Sequence, residues 1–491
     1  MATKINGKSK TTTNGDIRGD VQIIRLKPLD QWRPLENVRS LLFLVVRENL
    51  DEKAMRDSLD RLIRDHLPIL GARIEFKKTD LEYRLPNAFP PAYSLFEWTS
   101  KTVESSLEDT NLLPQATQSD SALSFAPSNI LKMEQEWTPS SWPVERKYEK
   151  PNAPLLFVHI TKYTTSTVVA LNIPHCVSDQ LGFACMINAW MDLLNGEAPP
   201  EFLNLPLDAL DGPKLPQKEL RKKGTYRILR SKEQATKFIP YISEFARCSK
   251  EIRKTLFLPI DVVEGLRQRC MDKIKAKHGE KAATLSNADV ITAILAKFAF
   301  LDRNPSKMVT LSTSLNMRGR HPALPADKPY LHNALSFAVA RLPIAKTPLA
   351  EVAYQNRLAV NEELQLENIE RSLAVTKELY KRKYPLHIVE PSDLSYAITN
   401  WCGAWRDIDF GPAVVKPEVG DLTVGGNVRA VPLVFGHSLQ RNYPTRFNSQ
   451  IMCKADGGFW CDFTTIPKTM VKVESLLKSD PKLQSLRNFS K

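Results

Sequence analysis

Residues 166–182, STVVALNIPHCVSDQLG, carry the reading on which the fold turns. Residues 166–173 are a β-branched and apolar run of strand length. Pro174 follows, and a proline cannot donate to a sheet ladder. Asp179 stands where a helix N-cap belongs. The spacing predicts a helix from about Asp179 to Leu194, ended by Gly196. A strand feeding a helix in this way is the working piece of an α/β protein. Between the two lies His175-Cys-Val-Ser-Asp179, at a strand end, where a rigid scaffold presents side chains for chemistry. An imidazole with an ordinary pKa of ~6.5 can take a proton near neutrality. The Asp, four residues on at the positive end of a helix, would fix the loop. On the residues alone a second reading stands beside this one: a histidine that packs at a strand end, and an Asp that only caps.

Outward from this stretch, strands are expected at 21–29, 38–47, 72–76 and 154–163, with a helix at 51–66 capped by Asp51. Residues 88–142 carry little periodicity and read mostly as loop. In the second half, strands are expected at 254–258, 308–316, 333–342, 394–401, 428–435, 449–454 and 458–464. Helices are expected from Pro259 to about Lys277, at 287–300, 348–363 and 365–381, and at about 467–478. The expected organisation is a disordered tail at 1–20, an N-terminal lobe at 21–215, a basic crossover linker at 216–252 and a C-terminal lobe at 253–491. Both lobes mix strands with helices, so each is expected to be a mixed sheet with covering helices.

Composition narrows the function classes. The 491 residues are 42% hydrophobic and 25% charged, an ordinary globular mix that can bury a core without staples. The net charge of +13 admits an anionic partner and names none. No helix-turn-helix, zinc-finger or aromatic RNA-binding motif accompanies it, so nucleic-acid binding rests on charge alone. The seven cysteines form no C-x-x-C pair, which argues against a disulfide scaffold or a zinc ribbon and for reduced thiols in the cytoplasm. No metal site is expected. The run Leu41–Val46 falls far short of the ~20 residues of a spanning helix, and residues 1–20 hold no secretory apolar core. No P-loop or G-x-G-x-x-G motif occurs.

The HCVSD segment resembles the H-x-x-x-D motif of the BAHD acyltransferases, especially their fungal branch. Gln180 replaces the family's usual glycine, with Gly182 two residues further on. Asp409-Phe-Gly-Pro-Ala413 resembles D-F-G-W-G with its last two positions changed. SLNMRGRHPALP (314–325) followed by YLHNALSF (330–337) resembles the N-x-R-x-R and Y-F-G-N segments. Thr399-Asn400-Trp401 stands where the family often has T-S-W, and LPILGARIE (67–75) resembles its N-terminal helix-to-strand junction. The matches run in the family's order over about residues 21–480.

The resemblance implies a chloramphenicol-acetyltransferase-like α/β fold of two similar lobes with an active-site channel between them. It implies transfer of an acyl group, acetyl by default, from acyl-CoA to a hydroxyl of a small natural product by a monomeric cytoplasmic enzyme without tightly bound cofactor. His175 would be the general base, and Asp179 would organise the His loop by pairing with Arg318 rather than Arg320. Thr399 and Trp401 would serve the oxyanion, Asn333 would line the channel, and Asp409 and Gly411 would be structural. Cys176 is expected to pack rather than react. Lys222, Lys223, Arg227 and Arg230, or Lys250, Arg253 and Lys254, could hold coenzyme A phosphates. Two other readings remain: a non-catalytic relative that binds a small molecule or partner, and a condensation-type domain, whose motif normally has a second histidine where Pro174 stands.

Overall fold

The strand Thr167–Pro174 is buried along its whole length, and so is its neighbour Arg39–Val46. Continuous apolar runs of this kind need cover on both faces and so fall in the middle of a sheet. Their sheet has five strands, in the order Leu433–His437, Arg39–Val46, Thr167–Pro174, Phe157–Lys162 and Glu97–Thr102. Only the last pair is parallel. A second sheet of seven strands runs Leu335–Leu342, Val309–Asn316, Leu394–Asn400, Asn448–Ala455, Gly458–Thr465, Ile252–Pro259 and Ser124–Phe125. Leu394–Asn400 is parallel to both its neighbours, which makes this sheet mixed as well. A small antiparallel sheet, Val21–Arg25, Asp80–Pro86 and Arg73–Lys77, flanks the first lobe. The computed structural model describes residues 21–77, 80–113, 122–415, 429–438, 440–441 and 443–484. The tail expected at 1–20 lies outside them.

Each large sheet has its own core. The first gathers Phe43, Leu59, Val169, Phe183 and Trp190, and the second gathers Leu266, Ile294, Tyr396 and Phe463. Helix Glu52–Arg61 is capped by the Asp51 side chain on Ala54 N, and helix Asn287–Ala299 by Ser286 with Asp289. The expected α/β architecture of two lobes is the one observed.

Five differences bear on the site. The strand expected at 428–435 lies at Leu433–His437 and pairs antiparallel with Arg39–Val46, as the edge of the first sheet rather than the second. Its residues Val434 and Phe435 are fully buried in the first core. The Asp409–Ala413 segment, expected within the C-terminal lobe, also packs on that core. Ile408, Phe410 and Ala413 are buried there, and Ala413 O accepts from Asp51 N at 2.8 Å. In return, Ser124–Phe125 crosses to the second sheet, where it pairs with Ile252–Pro259. The linker expected at 216–252 is folded into helices Gln217–Leu220, Ser231–Thr236 and Ile239–Arg247. Finally, the first strand stops at Arg25, and Pro28 starts a single turn, Pro28–Asp30, that carries Asp30 inward.

Candidate active site

From Ser166 to Gln180 every residue is buried except His175. The strand ends at Pro174, and a turn follows in which Val177 N donates to Pro174 O at 2.9 Å. His175 N donates to Val38 O at 2.9 Å, which anchors the turn to the neighbouring chain. Asp179 then caps helix Gln180–Leu194. One carboxylate oxygen accepts from Gly182 N at 2.8 Å, the side chain-to-backbone bond an N-cap makes. The other oxygen accepts from Arg318 Nη1 at 3.0 Å and from Ala334 N at 2.8 Å. Arg318 donates further to Tyr330 O, His332 O and Asn316 Oδ1, at 2.9, 2.6 and 3.1 Å. Arg320 instead reaches Asn316 O at 2.7 Å on the surface.

The partners of the His loop come largely from one segment of the second half, Tyr330 to Ala334. Ser178 Oγ donates to Leu331 O at 2.6 Å. His332 Nδ1 donates to Val177 O at 2.9 Å. Asn333 Nδ2 donates to the carbonyl of His175 itself at 2.9 Å, and to Asp30 Oδ1 at 2.8 Å. Gly182 lets this segment approach. A Cβ there would stand 1.9 Å from Leu331 O, and backbone oxygen cannot yield as a flexible side chain can. Gln180 is buried and donates to Ser438 Oγ at 3.1 Å, just past the end of the edge strand Leu433–His437.

Burial sets the electrostatics. Desolvation pulls the His175 pKa below the ordinary histidine value, against opposing pulls from its own carbonyl, Asp179, Asn333 and Asp30. The ring is therefore neutral at pH 7. Its Nδ1 is enclosed and has no hydrogen-bond partner. Burial lowers His332 to about 4 and raises Asp30 to about 6, the latter although Lys27 and Asn333 favour the carboxylate. Burial pushes the Cys176 thiol up to about 12, so it holds no thiolate at neutral pH.

Thr399 and Trp401 belong to the strand Leu394–Asn400 and its end. Leu394, Tyr396 and Ile398 point into the second core. By the alternation of a pleated strand, Ser395, Ala397 and Thr399 point the other way. Thr399 is paired with Gln450 and Ala397 with Asn448 on the adjacent strand. Trp401 N donates to Ile451 O at 2.9 Å, and the indole is buried in the first core, the core that also holds Cys176 and Val177. Asp409 stands apart from the His loop. Its carboxylate accepts from Gly411 N at 2.9 Å and Ala430 N at 2.7 Å and closes its own loop. The structure thus brings His175, Asp179, Arg318 and Asn333 into one hydrogen-bonded group, and leaves Asp409 and Gly411 outside it. Sequence reasoning missed Asp30, His332 and the Ala334 amide. His332 adjoins Asn333 in a segment already singled out. Asp30 sits in KPLDQW, which carries no pattern. Among the described residues no group of three or more His, Cys, Asp or Glu side chains could hold a metal, and no helix is long and apolar enough to cross a membrane.

The loop that carries His175 belongs to one lobe and is held by hydrogen bonds from the other, and the comparisons with known proteins name the family. The chain belongs to the Transferase family, the BAHD-type acyl-CoA-dependent acyltransferases, whose pattern matches residues 132–419, more than half of its length. It is 26% identical over 425 residues to acetyltransferase adrJ of Penicillium rubens, covering 79% of this chain and 82% of that one. It is 26% identical to O-acetyltransferase PaAT-2 of Phomopsis amygdali, covering 81% and 86%. Its fold matches that of F. sporotrichioides TRI101, solved with coenzyme A and T-2, with a TM-score of 0.64, 15% identity and coverage of 92% and 97%.

Proposed function

We propose that this enzyme transfers an acetyl group from acetyl-CoA to a hydroxyl of a small natural product, with His175 as general base. The observation that carries the reading is His175 itself, a neutral imidazole and the one residue of a buried run that reaches open space, on a loop braced from both lobes. With Nδ1 enclosed, Nε2 is the nitrogen that meets the acceptor hydroxyl. It takes the hydroxyl proton as the oxygen attacks the thioester carbon. The tetrahedral intermediate then collapses, the carbon–sulfur bond breaks, and the imidazolium returns its proton to the departing thiolate of coenzyme A. No acyl-enzyme is needed, and Cys176, buried and fully protonated, is not a nucleophile. Thr399 and Trp401 are the proposed oxyanion donors, since their strand face is turned toward the first lobe.

Asp179 and Arg318 are positioning residues, which hold the His loop to the second lobe. Of the basic residues near the linker, Arg227 is spent on Glu233 and Glu390, Arg253 on Asp462 and Lys254 on Glu474. Lys222, Lys223, Arg230 and Lys250 are exposed and remain for the phosphates of coenzyme A. The cysteines, all free, suit the cytoplasm. The test is His175→Ala assayed by thiol release from acetyl-CoA and mass spectrometry of the product. Loss of a general base should cost about 10²–10⁴-fold in kcat, with coenzyme A affinity retained by calorimetry. Turnover within tenfold of wild type would remove His175 from the base role.

A further inference from the structure

Helix Ile239–Arg247 is apolar on two faces, and only one of them has a partner in the fold. Inward, Tyr241 packs edge-on against Phe447, with ring centroids 4.9 Å apart, and hydrogen-bonds Ser395 Oγ at 2.6 Å. Outward stand Ile239 and Ile242, 59% and 66% exposed, with Ala246 exposed one turn further on. That is the spacing of a single helical stripe. Phe238 precedes it, also exposed, and shares the mouth of a cavity of about 920 Å³ with the exposed Phe76 and Tyr443. Single exposed apolar side chains are ordinary, but a group of this size marks a surface that something covers. A helix that is apolar all round belongs in a core or against a second apolar phase.

The charge around this stripe is of one sign. Residues 216–254 hold twelve Lys and Arg against four Glu. Three of those Glu are turned onto arginines of the fold, Glu233 onto Arg227, Glu244 onto Arg303 and Glu251 onto Arg446. At the C-terminal end of the stripe, Arg247 and Lys468 reach one carboxylate, that of Asp302, at 3.0 and 3.3 Å, and Lys472 reaches it too. Three cations on one carboxylate leave a surplus of positive charge, and Lys468 is 68% exposed. Val471, between the two lysines on helix Pro467–Ser479, is exposed as well. At the other end Lys232 is exposed and, among the described residues, has no acidic partner. We infer that this face docks on an anionic lipid bilayer, with Ile239 and Ile242 set into the headgroup region and Lys232, Lys468 and Lys472 over the lipid phosphates. A shallow apolar stripe and a cationic rim are two signals that together give reversible interfacial binding. A second copy of the chain is a poor occupant, because each copy brings the same cations, and a net charge of +13, to the contact. Docked in this way, the cavity mouth bounded by Phe238 opens at the bilayer surface.

The experiment is cosedimentation of the full chain with vesicles of phosphatidylcholine, alone or with about 30% phosphatidylserine. The anionic vesicles should bind the chain at least about tenfold tighter than the neutral ones. Salt at about 1 M should release it, since the screening length falls to roughly 3 Å. Ile239→Asp combined with Ile242→Asp should weaken binding at least about tenfold. Lys232→Glu and Lys468→Glu should each weaken it at least about fivefold, the worth of one cation near an anionic surface. All four residues are exposed, so circular dichroism and the urea midpoint of these variants should match wild type. In Ile242→Trp, the added indole emission should shift to the blue on anionic vesicles and stay unshifted on neutral ones. No binding to anionic vesicles, or binding that every variant retains, would overturn the inference. So would a concentration-dependent dimer in vesicle-free solution that Ile242→Asp disperses, which would give the face to a second copy. Capture of an acidic protein through Ile242 by a chain that ignores vesicles would overturn it as well. Turnover enters none of these measurements, so either result leaves the acyl-transfer reading where it stands.

Discussion

Replacing Asp179 with Asn keeps the helix cap and removes the link between the lobes. Asn is as good an N-cap as Asp, so the bond from Gly182 N survives. The second oxygen becomes an amide NH₂, and two donors now face it, Arg318 Nη1 and Ala334 N. Both Asp179 and Arg318 are buried, with side chains 3% and 9% exposed, so screening by water is slight. Breaking such a pair at one end costs about 3–5 kcal/mol. An orphaned buried amide by itself accounts for about 1–3 kcal/mol of that. Arg318→Met should cost roughly 3 kcal/mol at the lower end of the same range, because Asp179 keeps two backbone donors. Since both variants lose the same bond, the double variant should fall short of the sum by at least about 1.5 kcal/mol, the worth of a charge-assisted hydrogen bond. The assay is urea unfolding followed in parallel by tryptophan fluorescence and circular dichroism, with kcat and KM measured well below the transition. Asp179→Asn should lower kcat through the displaced His loop and move the acid limb of the pH–rate profile to lower pH, since the Asp179 charge raises the His175 pKa. Two results would refute the reasoning: additive single variants, or an Asp179→Asn enzyme as stable as wild type yet inactive, which would put the carboxylate in the chemistry itself.

Other consequences can be checked as directly. Gly182→Ala should destabilise the chain by about 3 kcal/mol or more, at or beyond the upper end of ordinary overpacking, because its methyl meets Leu331 O rather than a side chain; a urea midpoint unchanged from wild type would contradict the close approach. The acid limb of kcat/KM should have its midpoint below pH 6.5, since burial lowers the His175 pKa and only the neutral ring accepts a proton; a midpoint above 7 would exclude His175 as the titrating base. His332, held at about 4, stays neutral in the folded chain while the unfolded chain takes a proton below about 6.5. Acidification from 6.5 to 4 should therefore destabilise wild type relative to His332→Gln by roughly 1.4 kcal/mol per pH unit, and a difference independent of pH would refute it. Cys176→Ser should retain turnover, as expected of a packing residue whose thiol is pushed up to about 12.

What could be read in the sequence was local. The run 166–173, Pro174 and Asp179 announce a strand, a turn and a capped helix, and the structure has them at Thr167–Pro174 and Gln180–Leu194. The Asp179–Arg318 contact was anticipated only through the family resemblance, because nothing in the spacing of residues 139 positions apart relates them. What could not be read was which sheet a strand joins. VPLVFGH is an apolar run whose alternation fits either lobe, and pairing is settled by the surface that needs cover. Asp30 was invisible for a related reason. Its position depends on where the first strand stops, and Pro28 sets that stop at a boundary sequence patterns place poorly. The linker read as irregular because its helices are short, and what buries them is tertiary. Leu220, Tyr226 and Ile228 pack against Phe337, Val375 and Leu379 of the second half.

The exchange of strands has a mechanical meaning. A base on one lobe can serve a thioester held by both only if their separation is fixed to a fraction of an ångström during the reaction. Packing across an interface alone would leave two lobes of this size free to rock. Here Leu433–His437 is zipped into the first sheet over five register pairs, and the chain enters the second sheet at Asn448, eleven residues after His437. Gly436 makes the first attachment close, since a Cβ there would stand 2.2 Å from Leu41 O. Ser124–Phe125 binds the lobes in the opposite sense, with Leu123 N donating to Pro481 O at 2.9 Å beside it. Arg47 and Asp456 add a bridge at 3.0 Å. Val434 and Phe435, at the centre of that strand, are wholly buried, so the chain that joins the second sheet at Asn448 starts from a fixed edge of the first. The His175 loop is accordingly held between supports from both lobes, Val38 on one side and Asn333 on the other.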